Sequence, residues 1–344
     1  MASTRKPLNE QVIVLTGATS GIGLATARQA AERGAKLVLA ARDLDALEAL
    51  AIELRNNGAD VATVAADVGD PADVTRLGEE ALRRFGRVDT WINDAGISIF
   101  GTNEQVALED MHKVMQTNLW GVVNGSLEAV RLMKAHGGGT LINVGSEASD
   151  RAIPLQGTYS ASKHAVKAFT ESLRIELAKE DAPVDVTLVK PAGIDTPFTA
   201  HAKNYMEHEP ALPGPIYAPE LVATAILSAA EKPQREIFVG GRAKLASVAG
   251  YVMPRAVDRA MRATIFKQQQ SPEPTKPGRK DALHAPDGGH ELEQRGNLTP
   301  NPSAISPYTQ LALRPGARTV LLGGVALLAA WALARRPAQR LWHA

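Results

Sequence analysis

The sequence predicts an α/β fold: a doubly wound parallel sheet of about seven strands, followed by a C-terminal extension of different character. Three observations predict it. Short apolar runs recur along the chain, amphipathic helical patterns fill the gaps between them, and the regularity stops near Gln268. Apolar runs bounded by turns suit strands buried on both faces. Helices between them force right-handed crossovers and a parallel sheet covered on both sides.

The strands are expected at 12–15, 37–40, 61–65, 90–92, 140–144, 184–189 and 236–239, and the helices at 22–33, 43–56, 71–85, 111–134 and 159–180. The chain has 344 residues, 44% apolar and 22% charged, ordinary proportions for a globular protein. It has no cysteine, which excludes disulfides, zinc-thiolate sites and iron–sulfur clusters. A formal net charge of +1 gives no reason to expect nucleic acid. The first residues, MASTRKPLNEQ, lack the apolar core of a secretory signal, so the body is expected in the cytoplasm.

The first strand runs into Thr16-Gly17-Ala18-Thr19-Ser20-Gly21-Ile22-Gly23 and then a helix. Gly17 permits a tight exit from the strand, Gly21 lets backbone N–H groups approach a pyrophosphate, and Gly23 lets the helix pack closely. The helix N-terminus offers unpaired donors to phosphates. The glycine spacing is not the common G-x-G-x-x-G, and a purely structural turn is the alternative. At the end of the second strand, Ala41 stands where an NAD site places an acid, and Arg42 follows. A guanidinium suits a 2′-phosphate, so NADP(H) is favoured over NAD. The alternative is a surface arginine paired with Asp43 or Asp45.

Tyr159 and Lys163 stand four apart at the start of a helical segment and share a face. An ammonium beside a phenol favours phenolate, making Tyr159 an acid or base near neutral pH. Ser146 ends the strand 140–144, where parallel strands face a ligand crevice, and is placed to hydrogen-bond a substrate carbonyl.

Together these motifs resemble the short-chain dehydrogenase/reductase family, in its form of about 250 residues, with a C-terminal extension added. The resemblance covers residues 12–244. Besides the glycine turn and the Ser146, Tyr159, Lys163 set, Asp67-Val68 resembles the family's adenine-contacting pair. Asn93-Asp94-Ala95-Gly96 resembles its N-N-A-G, with Asp94 for the second Asn. Asn118 resembles its helix Asn, and residues 191–196 its P-G-x-x-x-T, with Ala192 for the Gly.

The resemblance implies a Rossmann-type fold and hydride transfer between a nicotinamide and a carbonyl or alcohol, with Tyr159 handling the proton. Lys163 would lower the tyrosine pKa and hold the ribose, Ser146 would orient the substrate oxygen, and Asn118 would hold a relay water. Pro191, Ile194 and Thr196 would hold the carboxamide. Asn93, Ala95 and Gly96 would line the adenine-ribose side. Asn118 as a buried structural amide and Thr196 as a helix N-cap are the alternatives. An isomerase, epimerase or dehydratase on the same site, or a non-catalytic NADP(H)-binding regulator, remains open. Homo-oligomers through the helices 111–134 and 159–180 are a further implication. The segment after Thr196 is expected to be the substrate lid.

Beyond residue 245 three zones are expected. Residues 246–267 read as an amphipathic helix, of the kind that lies on a membrane or, equally, on a subunit. Residues 268–310, rich in Pro, Gly and charge, read as a disordered, flexible linker. Residues 311–344 read as a membrane anchor, with an uncharged apolar helix at 319–334 between arginines. Those sixteen residues reach roughly 24 Å of a ~30 Å hydrocarbon core. A helix packed on protein is the alternative. An anchored enzyme would suit a lipophilic substrate.

Overall fold

The structure is a computed structural model and describes residues 5–288 and 292–314. Seven parallel strands form its sheet: β1 (Val12–Thr16), β2 (Lys36–Ala41), β3 (Val61–Ala65), β4 (Thr90–Asn93), β5 (Gly139–Val144), β6 (Val184–Pro191) and β7 (Glu236–Val239). Their order is β7-β6-β5-β4-β1-β2-β3. Winding reverses between β1 and β4, so the crevice at the C-terminal ends of these strands is where a Rossmann-like sheet takes a ligand.

Alternation along the strands sorts two cores. Ile13 and Leu15 pack with Leu24, Leu47 and Ile226 of α1 (Gly21–Glu32), α2 (Leu44–Asn56) and the helix Pro219–Glu231. Val14 points the other way, to Val74, Leu132 and Leu173 of α3 (Pro71–Phe85), α5 (Gly121–Ala135) and α6 (Gly157–Lys179). The caps explain the helix limits. The Asp70 side chain accepts from the Ala72 N–H, Pro71 starts α3, and Gly86 ends it at φ 75°.

The helix expected at 111–134 is divided. α4 (Leu108–Met115) passes through a π turn, Gln116–Trp120, into α5. The wider turn holds Asn118, whose amide bonds the Ile97 backbone in both directions.

The chain after β7 departs most from expectation. α7 (Phe198–His201) and α8 (Pro219–Glu231) precede it. α9 (Gly241–Val252) and α10 (Pro254–Gln268) follow as two helices, with Pro254 at the break. No α10 residue is buried, and Leu245, Val248, Tyr251, Val252 and Phe266 are exposed. The described parts of the segment 268–310, expected as a flexible linker, are laid on the body. Gln270–Pro274 pairs antiparallel with His208–Pro210. The Arg279 guanidinium donates to the carbonyls of Thr199, Ala200 and Ala202 and pairs with Glu209. Leu283 is fully buried against Ile97, Ile99, Val106 and Val114. Chain ordering is offset here by main-chain pairing and a few anchors, which leave no periodic signal. α11 (Pro307–Ala312) closes the described chain, its Thr309 hydroxyl accepting from the Gly240 N–H.

Among the described residues no helix is long and apolar enough to cross a membrane. The apolar stretch 319–334, and with it the anchor reading, lies outside them.

Candidate active site

The β1–α1 turn needs its glycines for contact. Gly17 has φ 72°, and a Cβ there would stand 2.8 Å from the Ala95 Cα. A Cβ on Gly23 would meet the Gly17 carbonyl oxygen at 2.0 Å, so α1 sits directly against the turn. The Thr16 hydroxyl accepts from the N–H groups of Asp94 and Ala95, joining β1 to the loop after β4.

Two cavities meet along Gly17, Ser20, Ala95 and Gly96 and form one trough over the sheet's C-terminal edge. The larger, about 1020 Å³ with its mouth included, holds Gly21, Ile22, Ser146, Tyr159, Lys163, Pro191, Ile194 and Thr196. The other holds Thr19, Ala41, Arg42, Asp67 and Val68. The site residues drawn from widely separated parts of the sequence thus converge.

Three do not line the trough. Gly23 is a packing glycine. Asn93 is buried behind the sheet edge, donating to Asn143 and accepting from the Trp91 ring N–H. The Asn118 side-chain amide is bonded to Ile97 and Ser162, which secures the loop carrying Gly96. Thr196 is not the cap of α7, a place taken by Pro197.

At one end of the trough Ser146 N-caps the short helix Glu147–Ser149 and so is fixed. Its hydroxyl hydrogen-bonds the Tyr159 phenol. Phe198 packs edge-on against Tyr159, with ring centroids 5.3 Å apart. Lys163 donates to the Val144 carbonyl at 2.9 Å and lies 5.8 Å from the Tyr159 ring centroid.

The electrostatics differ from the sequence expectation. The phenol of Tyr159 is pushed up to about 12: burial is the largest cause, the Ser146 hydrogen bond opposes it, and the Glu147 and Asp94 charges add to it. Burial pushes Lys163 down to about 8, against the pull of Asp94. Asp94 is pushed up to about 7 by burial, opposed by Lys163 and the Gly23 N–H. The expected lowering of the phenol by Lys163 is not seen: burial, with the Glu147 and Asp94 charges, raises it, and only the Ser146 hydrogen bond lowers it.

At the other end, Arg42 donates to the carbonyls of Leu283 at 3.2 Å and Ala282 at 2.5 Å. Burial lowers its pKa, and Asp67 and Asp287 oppose that. Asp43 is its N-cap neighbour on α2, accepting from the Ala46 N–H. Asp67 is held below the ordinary carboxylate range; burial raises it, but bonds from Lys113 and the Gly69 N–H, with the Lys113 and Arg42 charges, outweigh that.

The extension roofs this trough. The Leu292 N–H donates to the Thr19 carbonyl at 2.8 Å, the Gly21 N–H to the Glu293 carbonyl at 3.0 Å, and the Leu298 N–H to Asp195 at 2.8 Å. Ala282 and Pro286 line the trough itself. Sequence reasoning missed these residues, along with Glu147, Phe198 and His201 as wall residues; only the lid expectation after Thr196 pointed to the last two.

Comparison with known proteins agrees with the geometry. The short chain dehydrogenase family model matches residues 11–207. The uncharacterized oxidoreductase YxnA of Bacillus subtilis (strain 168) is 45% identical over 333 residues, 96% of this chain and 92% of that one. An alcohol dehydrogenase from Thermococcus sibiricus, complexed with 5-hydroxy-NADP, is 29% identical with a TM-score of 0.59, covering 67% of this chain and 95% of its own. A short chain dehydrogenase/reductase from Burkholderia phymatum, in complex with NAD, is 29% identical with a TM-score of 0.62, covering 79% and 99%. The chain belongs to the short-chain dehydrogenase/reductase family of oxidoreductases.

Proposed function

We propose that this protein is an NADP(H)-dependent oxidoreductase interconverting a carbonyl and an alcohol, with Tyr159 as general acid and base. One observation carries the reading: Ser146, Tyr159 and Lys163 close one end of a trough whose other end is Arg42. The trough's glycine floor and paired ends fit a dinucleotide. When bound, its nicotinamide supplies or accepts the hydride.

The chain's own residues then have definite tasks. The Ser146 hydroxyl orients the substrate oxygen. A phenol near 12 is protonated at neutral pH, so Tyr159 is ready to give its proton to a carbonyl oxygen during reduction. Lys163, cationic below about 8, stabilises the phenolate left behind. Asn118 acts through Ile97 by fixing the Gly96 loop. Thr196, Pro191 and Ile194 border the nicotinamide end.

Arg42 supports NADP(H), since a guanidinium fits a 2′-phosphate. NAD is the second reading, because both terminal nitrogens of Arg42 are engaged by Ala282 and Leu283 carbonyls and acids flank it. Exposed Trp120, Leu127 and Ile175, on the turn before α5 and on α5 and α6, support self-association. Nicotinamide absorbance followed across a carbonyl and alcohol panel, with NADPH and NADH in parallel, tests the function. Turnover favouring NADPH is expected; conversion without nucleotide oxidation favours the isomerase alternative.

A further inference from the structure

Glu147 lines the same cavity as Ser146 and Tyr159, and also a second cavity beneath α9 and α10. Its two carboxylate oxygens are treated differently. Oε1 lies 3.4 Å from Arg242 Nη2. Oε2 is buried and accepts no hydrogen bond among the described residues. Arg242 is committed elsewhere, donating through Nη1 to the Pro213 and Gly214 carbonyls. It therefore holds one oxygen and leaves the other. Ile153, Phe198 and Leu212 give the wall an apolar part, and Gln156 and His201 line it too. A buried acceptor without a donor is costly, and a ligand that supplies the donor removes that cost.

We propose that Glu147 determines substrate specificity: its Oε2 receives a hydroxyl or amine N–H that the substrate carries near the reacting carbon, on an otherwise apolar skeleton. This rests on the oxidoreductase reading and names its substrate class. A plain ketone of equal length leaves Oε2 buried and unpaired, and the site rejects it. Burial also pushes the Glu147 carboxyl up, opposed by Arg242, which fits an acceptor still lacking a donor.

The test compares 1-hydroxy-2-octanone with 2-octanone by kcat/KM on the full chain, Glu147→Gln and Glu147→Leu, with ligand-induced Tm shifts measured alongside. The full chain is expected to prefer the hydroxyketone about tenfold, and both variants to lose that preference, as the loss of one hydrogen bond to a charged acceptor requires. A ratio unchanged in both variants overturns the proposal, whether their absolute rates fall or hold. Should neither ketone turn over, a Tm raised by hydroxyketone alone, and only with Glu147 present, keeps the binding site while the activity reading fails. Equal or absent Tm shifts with no turnover overturn the proposal.

Discussion

The sheet body and the C-terminal extension hold their shape in different ways. In the body, alternating residues such as Ile13, Val14 and Leu15 divide between two cores, and each strand is fixed by many apolar neighbours. In the extension, Gln270–Pro274 is held by strand pairing, Arg279 by carbonyls, and Leu283 by one small apolar cluster. The body places Ser146, Tyr159 and Lys163; the extension covers the Arg42 end of the trough. Cover built from main-chain bonds and a few anchors is also the part able to open at low cost, since local stability follows local burial.

The largest expected effect belongs to the body alone. Tyr159→Phe should lower kcat by about 10²–10⁴, the range for a lost general acid, while nucleotide titration by fluorescence shows binding retained. Retained turnover would remove the body's claim to the chemistry.

Arg42 lies where the two regions meet. Arg42→Ala should reduce the NADPH-to-NADH ratio of kcat/KM by roughly tenfold or more, as loss of a charge-assisted contact to phosphate does. An unchanged ratio would mean that Arg42 serves only to dock the Ala282 and Leu283 carbonyls.

Leu283→Asp separates the regions. A carboxylate placed in the cluster of Ile97, Ile99, Val106 and Val114 should release the extension. Stopped-flow fluorescence should show nucleotide dissociation faster by about tenfold, the equivalent of one lost anchoring interaction. Trypsin should cut at Arg279 sooner while the body's melting transition persists. Loss of the body's transition would show that the regions are not separable.

The smallest effect is the pH profile. Lys163, lowered to about 8 by burial, is cationic below that pH and neutral above it. Phenolate stabilisation is therefore full below about 8, and kcat/KM for reduction should fall as pH rises through it. A flat profile from pH 6 to 10 would deny Lys163 this role.

The seven strands were legible because burial on both faces demands unbroken apolar runs. Ser146, Tyr159 and Lys163 were legible as candidates by type and order, and the fold brings them to one cavity. The π turn was not legible, since it is a five-residue irregularity inside an otherwise helical run. Asn93 fits a cofactor motif, yet its amide is spent on Asn143 and Trp91 inside the fold. The proximity of Lys163 to Tyr159 was readable; that burial would raise the phenol was not, because desolvation depends on every wall of the cavity. The extension looked disordered because Pro, Gly and charge carry no periodicity, though its backbone groups find partners on Thr19, Gly21 and Asp195.

Isotope transfer tests the central claim most directly. With NADPH deuterated at C4 on either face, and Tyr159 and Tyr159→Phe proteins compared, product should carry deuterium on the carbinol carbon from one face only, and the variant should form almost none. Substrate converted with no deuterium on carbon, or equal transfer by the variant, would contradict hydride reduction assisted by this phenol.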